Sequence, residues 1–324
     1  MPKPYPVPEH ESWYIHDSSK IQEYLECPRM YFYRYVMGWT PDSFNNHTYF
    51  GECWHIGMEH LILHGYSTKS VAEAARLLTE HYRKKVPEIM DPSYAPKNPG
   101  NALVALTGYI VEYAGERFDT LYTEIAGTVP INERNVLHFR MDSVLRDDRG
   151  YFSREHKTGS QLSRMWLDQW ALSFQCGTYN HVLYCLFSPN EVWGVEINGT
   201  IFNKTKIQFQ RVPSRRTLSA MQSWFWHANE YVARIEEDFA RLREASKDDE
   251  VLMCFPQNPT ACTKYFGCPY HGFCTAWSNP LKYADEAPLG FHIEWWNPAD
   301  QERKPKHVFD FSKKEVNFIL TGGV

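Results

Sequence analysis

Apolar residues recur at helical spacing through the first third of the chain and at strand spacing in its middle. "SKIQEYLE" (19–26) predicts a short helix opened by Ser19 and Gln22 as a capping box. Cys27-Pro28 interrupts it, and "PRMYFYRYVM" (28–37) predicts a second helix ending near Gly38, because proline is tolerated in a first turn. "YFGECWHIGMEHLILHG" (49–65), "KSVAEAARLLTEHYRKKV" (69–86) and "ALVALTGYIVEYAGERFDTL" (102–121) carry apolar positions at helical period. The pattern then shortens: "YTEIAGTV" (122–129), "VLHFRMDSVL" (136–145) and "GYFSREHKT" (150–158) predict strands separated by polar turns. "DQWALSFQCGTYNHVLYCLF" (168–187) returns to helix, and "EVWGVEINGTIF" (191–202) and "KIQFQRV" (206–212) predict a further strand pair. Residues 214–246 predict a long helix with alternating charges on its outer face. A Cys-rich loop and an irregular tail with "EWWNPAD" and "ERKPKH" follow. The sum is a mixed α/β fold with a central sheet flanked by helices.

Composition narrows the function classes. A chain of 324 residues with 43% hydrophobic and 15% aromatic residues can bury a substantial, aromatic-rich core. A formal charge of −5 carries no global basic signature, so any nucleic-acid contact must come from local Lys and Arg. The Pro-rich start "MPKPYPVPEHESWY" has no apolar h-region, and no apolar run is long enough to span a bilayer. The expectation is a cytoplasmic protein without a membrane partner. No GxxxxGKS loop and no HExxH motif occur, which removes support for a P-loop motor and a zincin protease.

The central strands carry the candidate chemistry. On a strand, Glu155 and Lys157 share one face and His156 points away. If the strand holding Asp142 pairs with theirs, two carboxylates and an ammonium converge. Carboxylates are hard ligands suited to Mg²⁺ or Mn²⁺, and a metal there would polarise a phosphate. Taken alone, Glu-x-Lys is an ordinary exposed pair worth little. The combination is more specific. It resembles the PD-(D/E)XK nuclease superfamily in its RecB-like branch, which has an acidic strand residue, then Glu-x-Lys, then a helix with Gln-x-x-x-Tyr. Here these are Asp142, Glu155-His156-Lys157 and Gln175 with Tyr179. The branch's upstream Gly-x-x-x-His-x-x-x-Glu is matched by Gly51, His55 and Glu59, and Glu124 matches an acidic residue often seen on the family's first strand, with a weaker role. One departure is Phe139, where the family often has Gly.

The resemblance implies a restriction-endonuclease-like core and a metal-dependent deoxyribonuclease. His55, Asp142 and Glu155 would ligate the divalent metal, Lys157 would be catalytic, and Gln175 and Tyr179 would support the site or contact DNA. It further implies an exonuclease for DNA ends or single strands in recombination, repair or phage DNA processing, with a helicase or recombination protein as partner. The alternative is a catalytically impaired nuclease-fold subunit that binds DNA or assembles with others.

Eight Cys in a chain of this length suggest metal or redox chemistry in a reducing compartment. Cys262, Cys268 and Cys274 are each separated by five residues, and Cys254, His271 or Cys27 could complete a four-ligand site. Resemblance to iron–sulfur members of the branch favours Cys27, in "CPRMYFY", with a [4Fe–4S] cluster tying the N- and C-terminal segments; Zn²⁺ is the alternative. Cys53, Cys176 and Cys185 read as buried small hydrophobes. The expected organisation is an irregular segment 1–17, a nuclease domain 18–278 and a tail 279–324. "RKK" (83–85), "KTGSQLSR" (157–164) and "RRTL" (215–218) are candidate phosphate contacts, with Trp166, Trp170 and Trp224 as candidate base-stacking rings.

Overall fold

The computed structural model describes residues 3–264, 267–303 and 306–307. In chain order the elements are β1 (His16–Asp17), α1 (Ser18–Glu26), α2 (Pro28–Tyr31), β2 (Trp39–Pro41), α3 (Asn46–His64), α4 (Thr68–Tyr82) and α5 (Pro99–Glu112). There follow β3 (Asp119–Pro130), β4 (Val136–Asp147), β5 (Gly150–Gly159), α6 (Arg164–Asp168), α7 (Phe174–Leu186), β6 (Val192–Phe202) and β7 (Ile207–Ser214). The chain ends with α8 (Leu218–Glu244), α9 (His271–Ala276), β8 (Phe291–Ile293) and β9 (Lys306–His307). Of the expected tail 279–324, residues 304–305 and 308–324 lie outside the described residues. No described helix is long and apolar enough to cross a membrane.

Where the elements depart from the sequence expectations, local chemistry explains the difference. Helix α1 opens on Asp17, not Ser19, because the Asp17 carboxylate accepts from the Lys20 amide at 2.8 Å. The second helix is α-helical only to Tyr31 and continues as a π-turn over Phe32–Val36. Helix α5 stops at Glu112, and the stretch Asp119–Leu121 joins β3. A short apolar run satisfies either period, and sheet pairing decides it. Helix α7 starts at Phe174, capped by the Ser173 side chain, and the preceding Trp-rich stretch forms the separate turn α6.

The chain forms two compact units. The larger comprises residues 44–126, 140–221 and 306–307. Its strands follow the order β7-β6-β5-β4-β3-β9. β5 and β6 are parallel, β4 pairs antiparallel to β5, and β7 antiparallel to β6, so the sheet is mixed. The parallel pair requires a crossover, and α6 with α7 supplies it. Helix α7 covers one face, where Gln175 meets Glu155. Helices α3 and α5 cover the other, where a Cβ built on Gly51 would lie 3.8 Å from Thr158 Oγ1 and Asn198 donates to Tyr109. Phe50, Trp54, Leu78, Leu106 and Phe202 are fully buried in the core of that second face.

The smaller unit comprises residues 1–43, 127–139 and 222–303. Within it β1 runs parallel to β4 at Leu137–His138, and β2 pairs antiparallel with β8. Its core is aromatic, as composition suggested: Trp13 stacks on Phe239, and Tyr33 on both Trp39 and Tyr270.

Candidate active site

The site grows from a break in the β4–β5 ladder. The backbone register runs from Asp147↔Gly150 to Val144↔Ser153. Beyond it the Asp142 carboxylate takes over: Oδ2 accepts the His156 amide at 2.7 Å. The side chain thus satisfies a strand N–H that would otherwise be orphaned. Glu155, on β5, is 3% exposed. Its Oε1 accepts from Lys157 Nζ at 2.8 Å and from Gln175 Nε2 at 3.1 Å. Gln175 also donates to the Tyr179 hydroxyl at 2.8 Å, and that hydroxyl donates to the Arg140 carbonyl. The helical i, i+4 pair therefore holds one carboxylate oxygen and anchors the start of the splayed strand.

Helix α3 crosses the opposite face in steps of one turn. Gly51 lies beside Thr158 of β5, His55 Nδ1 is 2.9 Å from Asp142 Oδ1 of β4, and Glu59 accepts from Thr123 of β3 at 2.9 Å. Four helical residues rise about 6 Å, close to the spacing of neighbouring strands, so the Gly-His-Glu stripe visits three strands in turn. His156 points to the face covered by α3 and α5, where Asn198 and His156 Nδ1 are 2.6 Å apart. Burial pushes its pKa down to about 3, so it is a neutral packing residue.

Glu124 is the residue whose weight only the structure reveals. It sits within β3 at φ 48°, a left-handed conformation that costs a non-Gly residue. His55, Glu124 and Asp142 offer ligand atoms all within 4.8 Å of one another. Burial and the neighbouring Asp142 charge push the Glu124 pKa up to about 7, against the pull of Arg140. Burial, then Asp142, likewise raises Glu155 despite Lys157. Burial works against the charge of Asp142, but His55 overrides it and holds the carboxyl well below its usual range. Burial opposes protonation of Lys157, yet Glu155 and Asp142 win and raise it, so it stays an ammonium.

These residues fit a divalent cation. Two carboxyl groups and an imidazole, those of Glu124, Asp142 and His55, converge, and Glu155 lies beside them bonded to Lys157. Glu155 Oε2 is buried without a hydrogen-bond partner, which is costly unless something else satisfies it. Hard oxygen donors with one imidazole suit Mg²⁺ or Mn²⁺.

A second cluster of ligand residues lies within the smaller unit. Cys27, Cys262, Cys268, Cys274 and His271 line one cavity of about 220 Å³. No disulfide joins any of the eight cysteines. The Cys-Pro-Arg motif explains the convergence. Buried Arg29 donates to the carbonyls of Phe255 at 2.9 Å, Leu252 at 3.2 Å and Cys254 at 3.4 Å. The Asn258 amide then reaches Cys27 Sγ at 3.4 Å, and its side chain donates to the Glu26 carbonyl. Cys254 is buried, and it is not among the described residues lining the cavity. Cys53, Cys176 and Cys185 are buried.

Other candidates are committed elsewhere. Arg83 pairs with Asp91, and Arg216 donates to Ala171 and Ser173 ahead of α7. Trp224 is buried, which removes it as a stacking platform. Trp166 lies over Gly199, where a Cβ would collide with its ring, and close to Gly159.

A mixed sheet whose splayed strands present a buried acid cluster with one lysine is suited to holding a divalent metal. A model of the PD-(D/E)XK nuclease superfamily matches residues 18–275, and the chain belongs to that superfamily. No curated protein matches the chain. A solved structure described as "Crystal structure of SSO0001" aligns at 13% identity over 70% of this chain and 78% of that one, with a TM-score of 0.31, too low to bear on function.

Proposed function

We propose that the protein is a metal-dependent deoxyribonuclease, an exonuclease that degrades DNA ends or single strands. The observation that carries this is the buried Glu155 paired with the half-buried Lys157 beside Asp142, with one Glu155 oxygen left unpartnered. His55, Asp142 and Glu155 would hold Mg²⁺ or Mn²⁺, with Glu124 as a further oxygen donor. The metal would polarise the phosphate and lower the pKa of the attacking water. Lys157 stays charged, so it donates to the phosphate and stabilises charge as water adds and the ester P–O bond breaks. Gln175 keeps Glu155 turned toward the site, and Tyr179 anchors Gln175. End-labelled linear DNA, single- and double-stranded, should be degraded with Mn²⁺ while closed circles survive. Equal cutting of circles would sink the exonuclease assignment, and intact linear DNA the nuclease one. The inferred setting is recombination, repair or phage DNA processing in the cytoplasm, with a helicase or recombination protein as partner.

Metal affinity should carry the titration of Glu124. A carboxyl must lose its proton to ligate. With its pKa near 7, Glu124 is protonated below that pH, so Mn²⁺ affinity should fall as pH drops from 8 to 6. Glu124→Gln should bind Mn²⁺ more weakly at pH 8 and show a shallower pH dependence, measured by calorimetry, the remaining slope belonging to His55, where burial opposes protonation but Asp142 wins and raises the pKa; an unchanged slope removes Glu124 from the metal site.

We also propose that the four lining thiols hold a [4Fe–4S] cluster. A zinc ion sits about 2.3 Å from each thiolate and needs no cavity of this size. The cluster would tie α2 to the loop before α9, making metal binding part of folding. Anaerobically purified protein should be brown, with about four iron atoms per chain. Cys27→Ser should lose the colour; colourless wild type with one zinc overturns the cluster.

A further inference from the structure

Lys97 has no role in the site just described, and it is 4% exposed. It lies on the segment entering α5, beneath the first turn of α3: Asn46 Nδ2 donates to its carbonyl at 2.9 Å. Its ammonium makes one hydrogen bond, to Thr158 Oγ1 at 3.1 Å, and no carboxylate pairs with it among the described residues. Burial pushes its pKa down to about 8. A buried ammonium with a single hydroxyl partner is expensive. Lys20 is also buried and also pushed down to about 8, but its ammonium differs in its partners: it donates to the carbonyls of Ser12 and Ile15 and is helped by Asp17. Lys20 is satisfied by the fold and Lys97 is not.

The surroundings are suited to an anion. The Lys97–Thr158 bond is only part-buried, and His47, exposed at the start of α3, has its pKa lowered by burial and then by Lys97. The positive end of the α3 dipole adds to the same field. Position supplies the substrate. Thr158 directly follows Lys157, and it faces Gly51, one helical turn (about 6 Å) before His55. Thr158 therefore lies one turn of α3 from the residue that meets Asp142.

We propose that Lys97, presented with Thr158, binds a backbone phosphate of the DNA strand, next to the phosphate held at the acidic cluster. The proposal rests on the nuclease reading above. Lys97 is a substrate-binding residue outside the superfamily motif.

Lys97→Met removes the charge and keeps the length. A labelled single-stranded oligodeoxynucleotide is titrated by fluorescence anisotropy across salt concentrations, with Ca²⁺ replacing Mg²⁺ or Mn²⁺. Dissociation constants should rise about tenfold, as for a lost charge-assisted hydrogen bond. The slope of log affinity against log salt should shrink by about 0.7, the value for one phosphate contact on a single strand. The melting temperature should hold or rise, whereas Lys20→Met should lower it. A lowered melting temperature with unchanged salt slope makes Lys97 structural and overturns the proposal. Should Lys97→Met fail to fold, Thr158→Val must weaken binding, and unchanged affinity overturns it equally. Wild-type cleavage with an unchanged variant slope defeats this assignment alone; a wild type that neither cleaves nor binds DNA defeats the nuclease reading with it.

Discussion

Lys157→Ala is expected to lower the cleavage rate by about a thousandfold, the scale of losing a preorganised donor at a developing charge. Metal binding should behave in the opposite sense. Lys157 is the cation 2.8 Å from Glu155, and it offsets the repulsion among Glu155, Asp142 and Glu124. Removing it leaves the carboxylates less compensated, so Mn²⁺ should bind as tightly or more tightly. The fold should survive, because the Lys157 side chain is a quarter exposed and the strand is held by its ladder to β6. The measurement is single-turnover cleavage alongside calorimetric Mn²⁺ titration. Parallel loss of rate and metal affinity would make Lys157 an organiser of the acids, and an unchanged rate would remove it from catalysis.

The largest effect on stability is expected at Glu196, on the helix-covered face of the sheet. Arg154 and Arg211 both pair with its Oε1, and Arg149 reaches its Oε2 at 3.0 Å. Glu116 bridges Arg154 at 3.0 Å and Arg211 at 3.1 Å, and Arg211 also donates to Tyr109. Arg154 is 1% exposed. Three guanidiniums thus share the carboxylates of Glu196, Glu116 and Asp147, with Arg154 and Glu196 buried at the centre and Arg149 and Glu116 partly exposed at the rim. Glu196→Gln leaves buried positive charges facing one another and should cost about 3–5 kcal/mol. Urea unfolding reads this directly, and a loss below about 1 kcal/mol would mean that water already screens the network. The same carboxylate sets an acid limit. Burial works against its charge, but Arg154 and Arg211 lower its pKa to about 2, from an ordinary value of 4.5. A depressed carboxyl stabilises the fold fully above its unfolded pKa. That contribution should fade as pH falls from about 4.5 to about 2. The variant should show a flatter stability curve across that window.

The sequence by itself determined the elements and the order of the chemistry. Alternation over Gly150–Gly159 and helical spacing over Phe174–Leu186 place Glu155, Lys157, Gln175 and Tyr179 on predictable faces, because side-chain direction follows from local backbone period. It also foretold that His156 turns away from its neighbours. Boundaries were less legible: Asp17 displaced Ser19 as a cap, and the α6 turn separated the Trp-rich stretch from α7. Those outcomes depend on which of several adequate side chains meets an open amide. Only the tertiary structure decided that Glu124 turns into the acid cluster through a left-handed residue in a strand. It alone brought Cys27 to a cavity shared with Cys262, Cys268 and Cys274, through Arg29 and the backbone before the loop. It alone separated a satisfied buried lysine, Lys20, from an unsatisfied one, Lys97. Local period is a property of a few consecutive residues. Convergence, burial and the balance of charge depend on segments far apart in the chain, and they exist only once the strands have taken their register.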